Sequence, residues 1–260
     1  MENNLEATPS EYFVHKGSIV REIWGKGDTI LFIFAGAAAE FAVNKAVDWL
    51  YFTKRLPQDP IGRLFSTVSY ARSIILSDRQ AASRAIACMA KIHSSVESER
   101  GAKIPGWAYR DVLFMLIAYS INAFQLLERK LTIREKEEVF EVFNRVGREM
   151  GLKGLPETFK AWKTMRQDHL DNHLEYSGYS KDLFRQYRKH LGKVRYLILI
   201  EVQKILVPEK VAGLLGFKRK SFLGPLIFLY RWGRVIKLDK PLKAFLLPTQ
   251  YKAQIRSLDL

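Results

Sequence analysis

The sequence predicts an all-α protein, and three observations support this. Apolar residues recur at spacings of three and four along most of the chain, which is the period of an amphipathic helix. Helix-capping patterns precede several of these segments, whereas alternating strand patterns are weak. No repeat or long linker divides the chain. We therefore expect residues 1–260 to form a single multi-helix domain, with 1–12 as a flexible N-terminus and 217–260 as a basic, aromatic C-terminal part.

Capping patterns predict where the helices in the first half of the chain begin. Asp59 can cap a helix that starts at Pro60, because proline suits the first helical position. Ser77, with Gln80 three residues later, forms a capping-box pattern that predicts the start of the next helix. That second helix is expected to reach about Val96.

The second half of the chain continues the helical pattern after a loop at 101–106. A very apolar helix comes first, and a helix opened by a capping box follows it. The predicted helices are about Tyr109 to Arg129, one opened by Thr132 and Glu135, one from Pro156 to about Tyr176, and two shorter ones around Lys181 to Leu191 and Val194 to Leu206.

Composition limits the kinds of function to consider. The 42 Lys and Arg against 27 Asp and Glu give a formal charge of +15, which favours an anionic neighbour. Cys88 is the only cysteine, so an internal disulfide, a Cys-rich zinc site and covalent c-type haem are excluded. Phosphate-binding, dinucleotide-binding and serine-nucleophile motifs are absent from the sequence.

Two segments bear on localisation. Met1 to Tyr12 is polar and acidic and lacks the pattern of a signal peptide. The longest uncharged stretch, Val112 to Leu127, is 16 residues long and falls short of the usual length of a spanning helix. We therefore expect a cytoplasmic or peripheral membrane location without a clear transmembrane helix.

The C-terminal part is basic and aromatic. From Phe217 to Lys243 there are eight Lys or Arg against one Asp, interleaved with aromatic residues such as Tyr230 and Trp232. This pattern is typical of a solvated basic face or of an element that contacts an anionic membrane surface. It fits nucleic acid less well, and we do not expect a nucleic-acid partner.

His93 is a candidate metal ligand on the helix that Ser77 opens. It belongs to an apolar stripe with Ala82, Ile86 and Met89 at spacings of three and four. A histidine in such a stripe is commonly a core residue hydrogen-bonded to a backbone carbonyl. A neutral imidazole on an apolar wall also suits a haem iron. Position alone favours the first interpretation and leaves the second open.

Two further pairs have the spacing of a helix face. His169 and His173 are four apart and can hold one metal ion, although such a polar run is more typical of a solvated face. Arg63 and Thr67 are also four apart and project together. A guanidinium beside a hydroxyl can bind a carboxylate or dioxygen, while the alternative is a surface arginine and an ordinary helix threonine.

The order of these motifs resembles that of a known family. Asp59-Pro60-x-Gly62-Arg63-x-x-x-Thr67, followed about thirty residues later by His93-x-x-Val96, is similar to the catalytic domain of rubber oxygenases (latex clearing proteins) and MpaB-like oxygenases. The likeness extends from about His15 to Gln254. It includes Arg110-Asp111-x-Leu113, Leu131-Thr132 and Leu246-Leu247-Pro248.

The resemblance implies a globin-like core with additional helices and non-covalently bound haem b. His93 then matches the axial iron ligand, and Arg63 and Thr67 match the conserved pair near the haem. The implied reaction uses dioxygen to cleave a carbon–carbon double bond in an apolar, isoprenoid substrate.

The sequence departs from the family pattern at two places. Ser66 stands where some rubber oxygenases carry a lysine, and the acidic base of those enzymes has no aligned counterpart, although Glu40 and Asp48 lie in its region. A non-catalytic haem-binding or sensor protein, and a basic helical module that binds membrane surfaces, are therefore the alternatives to an oxygenase.

Overall fold

A computed structural model describes residues 11–54, 58–218, 221–224 and 230. These residues form ten helices and no strand, which confirms the all-α prediction. The helices are α1 (Ile19–Trp24), α2 (Gly27–Ala42), α3 (Val47–Phe52), α4 (Pro60–Leu76), α5 (Arg79–Arg100), α6 (Gly106–Leu127), α7 (Ile133–Glu149), α8 (Phe159–Asn172), α9 (Gly178–Leu206) and α10 (Glu209–Leu214). The single domain and its globin-like core remain predictions.

Two predicted caps are present as expected. Asp59 Oδ1 accepts a hydrogen bond from the Gly62 N–H at 2.8 Å, and Pro60 occupies the first turn of α4. At the start of α7, Thr132 and Glu135 form the reciprocal capping box. Each cap satisfies N–H groups that the first helical turn leaves without an intrahelical partner.

Two other helices begin slightly later than predicted, because a different residue caps each of them. Asp78, not Ser77, caps α5 by accepting from the Ala81 N–H at 2.7 Å. Thr158 caps α8, so that helix begins after Pro156 rather than at it. In both places an oxygen slightly farther along the chain reaches the N–H three residues on, which is the geometry of an N-cap.

Gly192 separates the two short helices predicted near the C-terminal end. Helix α9 runs continuously from Gly178 to Leu206 except at this residue, whose φ of 74° is accessible chiefly to glycine. The predicted break between Leu191 and Val194 is therefore confirmed as a kink at one residue.

Helix α6 lies at the centre of the fold, packed on α2, α7, α8 and α9. Among the described helices it alone is long and apolar enough to cross a membrane. However, 61% of its most apolar stretch is buried inside the protein, as in the core helix of a globular domain. The residues most relevant to a membrane surface, within 219–260, lie almost entirely outside the described part, as do residues 1–10 and Leu246-Leu247-Pro248.

Gly36 sets the close approach of α2 to α6. A methyl group at this position would lie 2.4 Å from the Tyr119 ring, which is itself fully buried. We expect Gly36→Ala to lower the free energy of unfolding by about 1–3 kcal/mol through overpacking, as measured by urea denaturation. Gly178→Ala is the control, because an added methyl there meets nothing within 4 Å. Equal stability of the two variants would contradict this account of the α2–α6 contact.

Candidate functional site

Helices α4 and α5 form an antiparallel pair that brings Arg63 and His93 to the same level. A two-residue connection joins them, and the Tyr70 hydroxyl contacts Cys88 Sγ at 3.7 Å between them. Arg63 lies thirteen residues before the end of α4, and His93 lies fourteen residues after the start of α5. At 1.5 Å per residue, both positions are about 20 Å from the connection.

Arg63 and Thr67 interact directly, as their spacing predicts. Arg63 Nη1 donates to Thr67 Oγ1 at 3.2 Å and to Ser66 Oγ at 3.2 Å. Thr67 Oγ1 donates in turn to the Arg63 carbonyl oxygen at 3.1 Å. Arg63 and Thr67 are both half-buried, so the guanidinium and hydroxyl form a fixed polar pair rather than a freely solvated surface.

His93 is partly buried and does not make the backbone hydrogen bond of an ordinary core histidine. Its Nδ1 is inaccessible to solvent and has no hydrogen-bond partner among the described residues. The stripe that includes it is fully buried only at Ala82 and Ile86, while Met89 and His93 are half-buried. The second half of α5 thus extends beyond the core.

The surroundings of His93 favour the neutral form of its imidazole. Burial, followed by the positive charge of Arg63, lowers the pKa of His93 below its ordinary value, while Glu97 opposes this effect. A neutral imidazole has a lone pair available for a metal ion, whereas an imidazolium does not.

A cavity of about 320 Å³ lies beside His93, between the second half of α5, the start of α6 and the end of α7. Its volume is within the range of small-molecule sites. Side chains that line it include those of His93, Glu97, Tyr109, Arg110, Met150 and Lys153. Arg63 and Thr67 do not line it, so the structure places this pair near His93 but outside the cavity wall.

Tyr109 and Glu97 position the His93 ring. The Tyr109 ring meets the His93 ring edge to face, with centroids 5.2 Å apart. Glu97 Oε1 accepts from the Tyr109 hydroxyl at 3.2 Å and from the Ile104 N–H at 3.0 Å. Neither residue was predicted to belong to the site, although Glu97 follows His93 by four residues and so shares its helix face.

We expect Arg63→Gln to raise the pKa of His93, because the substitution removes a nearby positive charge that disfavours the imidazolium. The pKa is measured by NMR titration of the His93 ring protons. Arg84→Gln, at an exposed arginine on α5, is the matched control and should leave the pKa unchanged. An unchanged or lowered pKa in Arg63→Gln would contradict the proximity of the two side chains.

A second polar cluster lies in the core, where α8 meets α2. Glu40 and His169 are 0% and 1% exposed. Arg166 pairs with both carboxylate oxygens of Glu40, and His169 Nε2 lies 2.7 Å from Glu40 Oε1. Tyr119 donates to Glu40 Oε2 at 2.8 Å. Burial alone would raise the pKa of Glu40, but Arg166 and His169 hold that pKa at about 2.

Asp111 of α6 extends this cluster to the end of α8. Its Oδ2 lies 2.7 Å from His169 Nδ1 and 2.9 Å from His173 Nδ1, and Asn44 Nδ2 donates to it at 3.2 Å. The solvated-face interpretation of the 168–175 run is therefore wrong for His169. It holds for Asp168 and Asp171, which are exposed.

The two acidic residues considered as counterparts of the family's base lie apart from the His93 cavity lining. Glu40 belongs to the buried cluster just described. Asp48 on α3 forms an ion pair of 2.6 Å with Arg100, seven residues beyond His93 on α5. Neither carboxylate is a hydrogen-bond partner of His93.

Comparison with known families gives one match. The family described as "ER-bound oxygenase mpaB/B'/Rubber oxygenase, catalytic domain" matches residues 23–238, which include both clusters. No curated protein matches the chain. No solved structure matches it either.

Proposed function

Because the chain belongs to the ER-bound oxygenase mpaB/B' and rubber oxygenase family, we propose that it is a haem b-dependent oxygenase that uses dioxygen on an apolar, isoprenoid substrate. The family assignment supports an oxygenase. The haem, the substrate and the roles of individual residues are the proposal.

The observation that carries the proposal is the state of His93. One of its ring nitrogens is buried without a hydrogen-bond partner among the described residues, a cavity of about 320 Å³ adjoins it, and burial lowers its pKa, which favours the neutral imidazole. These properties fit an axial haem ligand, since neutral imidazole binds haem iron. His93 would hold the iron, and Tyr109 would fix the orientation of the ring.

The other polar residues have roles that follow from their charges. Arg63, supported by Thr67, supplies a guanidinium that favours negative charge near His93. Arg110 and Lys153 line the cavity with cations, which suit the carboxylates of a haem. A bound haem would supply the iron chemistry by which dioxygen and an alkene give two carbonyl products.

The apolar substrate is supported by a second cavity. This one measures about 120 Å³, and its lining, which includes Phe34, Ile61 and Leu199, is mostly apolar. Ile61 lies on α4 two residues before Arg63. We further propose peripheral contact with an anionic membrane, where apolar substrates collect, on the basis of the +15 charge and the basic sequence from Phe217 to Lys243.

A non-catalytic haem-binding or sensor protein is the second candidate function. Ser66 favours it, because this exposed hydroxyl donates to the Arg63 carbonyl at 2.8 Å and provides no cationic group where some rubber oxygenases carry a lysine. Such a protein would bind haem through His93 without turning over an alkene.

Turnover of a defined alkene separates the two functions. Haem-supplemented protein is incubated with squalene under ¹⁸O₂, and carbonyl products are trapped as hydrazones. The oxygenase predicts two labelled carbonyl groups per dioxygen consumed, with at least about tenfold less product from Arg63→Ala, equivalent to 1.4 kcal/mol. Haem-loaded protein that forms no carbonyl product would support the sensor instead.

A further inference from the structure

Asp111, His169 and His173 present three metal-binding atoms to one point in the buried cluster. These atoms lie within 4.8 Å of one another. We propose that the three residues form a binding site for a divalent transition-metal ion, separate from the haem site proposed at His93. This inference does not rest on haem binding, because none of the three residues lines the His93 cavity.

The donor set matches such an ion. Two imidazoles and one carboxylate are the ligands that zinc and ferrous iron take in sites that keep positions open. Asp111 Oδ2 lies 2.7 Å from His169 Nδ1 and 2.9 Å from His173 Nδ1. Ligand atoms about 2.1 Å from a tetrahedral metal are about 3.4 Å apart. The His169 contact therefore has to widen by about 0.7 Å and the His173 contact by about 0.5 Å to admit the ion.

His169 lies between two buried carboxylates, those of Asp111 and Glu40. The residue is 1% exposed, and both of its ring nitrogens face buried carboxylates. Its Nδ1 lies 2.7 Å from Asp111 Oδ2, and its Nε2 lies 2.7 Å from Glu40 Oε1. Burial lowers the pKa of His169, but its contacts with Asp111 and Glu40 raise that pKa overall, so a metal ion at Nδ1 would displace a proton.

The residues that contact His169 and Asp111 are of the kind that supports the ligands of a metal site. Glu40 Oε1 lies 2.7 Å from His169 Nε2, the ring nitrogen that does not face Asp111. A carboxylate on the far nitrogen of a ligating histidine fixes the ring and raises its basicity. Arg166 and Tyr119 donate hydrogen bonds to Glu40, and Asn44 donates one to Asp111. These hydrogen bonds fix the positions of both carboxylates.

His173 gives an ion a route into the cluster. Its side chain is 23% exposed, whereas Asp111 and His169 are buried. The Trp107 ring packs against the His173 ring with centroids 4.6 Å apart, which forms an apolar cover on one side. With three protein ligands, positions at the ion would remain for water or a small anionic ligand.

Zinc stoichiometry tests the proposal. The purified full-length protein is stripped with a chelator, incubated with excess Zn²⁺, desalted and analysed for metal by mass spectrometry. Wild-type protein is expected to retain one zinc per chain. His173→Ala is expected to weaken zinc binding by at least about 100-fold, since losing a ligand exceeds the effect of losing a second-shell partner.

Three variants make the result specific. His15→Ala removes an exposed histidine elsewhere and should retain the zinc. His93→Ala should also retain the zinc. A failure of the haem proposal can therefore be distinguished from a failure of the metal-site proposal. Asp111→Asn, checked for folding by circular dichroism, should lose it. Wild-type protein without stoichiometric zinc, or equal zinc affinity in folded His173→Ala, would overturn the proposal.

Discussion

Replacing His93 with alanine is expected to abolish haem binding while leaving the protein folded. The side chain is only half-buried, and its main ring contact is the edge of Tyr109, so its removal disturbs little of the core. His93 is the proposed protein ligand to the iron, so its removal takes away the bond that would hold the haem. The measurement is the Soret absorbance of protein produced with added haem, normalised to protein concentration.

Two controls accompany the His93 variant. His190→Ala changes a partly exposed histidine on α9 and should keep the full Soret band. Adding imidazole to His93→Ala should restore part of the haem absorbance, because the free ligand can enter the space that the side chain leaves. Full Soret absorbance in His93→Ala without added imidazole would show that another residue binds the iron.

Replacing Glu40 with glutamine is expected to lower the free energy of unfolding by about 3–5 kcal/mol, because it leaves the buried charge of Arg166 without its partner. Glutamine keeps the shape of the side chain and can still accept a hydrogen bond from the Tyr119 hydroxyl. The loss of stability therefore measures mainly the effect of the missing negative charge. Urea denaturation monitored by circular dichroism measures it.

A double variant identifies the cause of this loss. Adding Arg166→Met removes the uncompensated charge, and the double variant should be more stable than Glu40→Gln alone. The surface control is Glu22→Gln, which breaks the partly exposed pair with Lys26 and should cost less than about 1 kcal/mol. A loss in Glu40→Gln no larger than that of the surface control would contradict the role of Glu40 in the core.

Capping patterns in the sequence predicted the first residues of the helices correctly where only one residue can act as the cap. Asp59 and Thr132 open α4 and α7 as expected, since each has an oxygen within reach of the N–H three residues on. At Ser77 a second acceptor, Asp78, is adjacent, and a pattern of residue types does not decide between them. Which oxygen caps the helix depends on the path of the preceding backbone.

The site was predictable only where its residues share one helix or one helical pair. The Arg63–Thr67 contact follows from a spacing of four, and the short α4–α5 connection brings Arg63 level with His93. The family resemblance that rested on these residues is confirmed. Their roles at a haem, and the haem itself, remain predictions.

The contacts of His169 with Glu40 and Asp111 were not predicted, because these partners come from distant parts of the chain. His169 lies between exposed acidic residues in sequence, and that local polarity indicated solvent. The helix turns it inward toward Glu40, 129 residues earlier, and Asp111. Charges that compensate one another across separate helices leave no periodic signal, so only the packed structure reveals them.

One haem b bound through His93 is the basis of the proposed oxygenase function. The most direct test of this binding is the pyridine haemochrome assay on wild-type protein produced with added haem, which identifies the haem type and counts it per chain. We predict one haem b per chain and a Soret band in the intact protein. A protein that stays colourless after haem supplementation and reconstitution, although folded by circular dichroism, would contradict the claim.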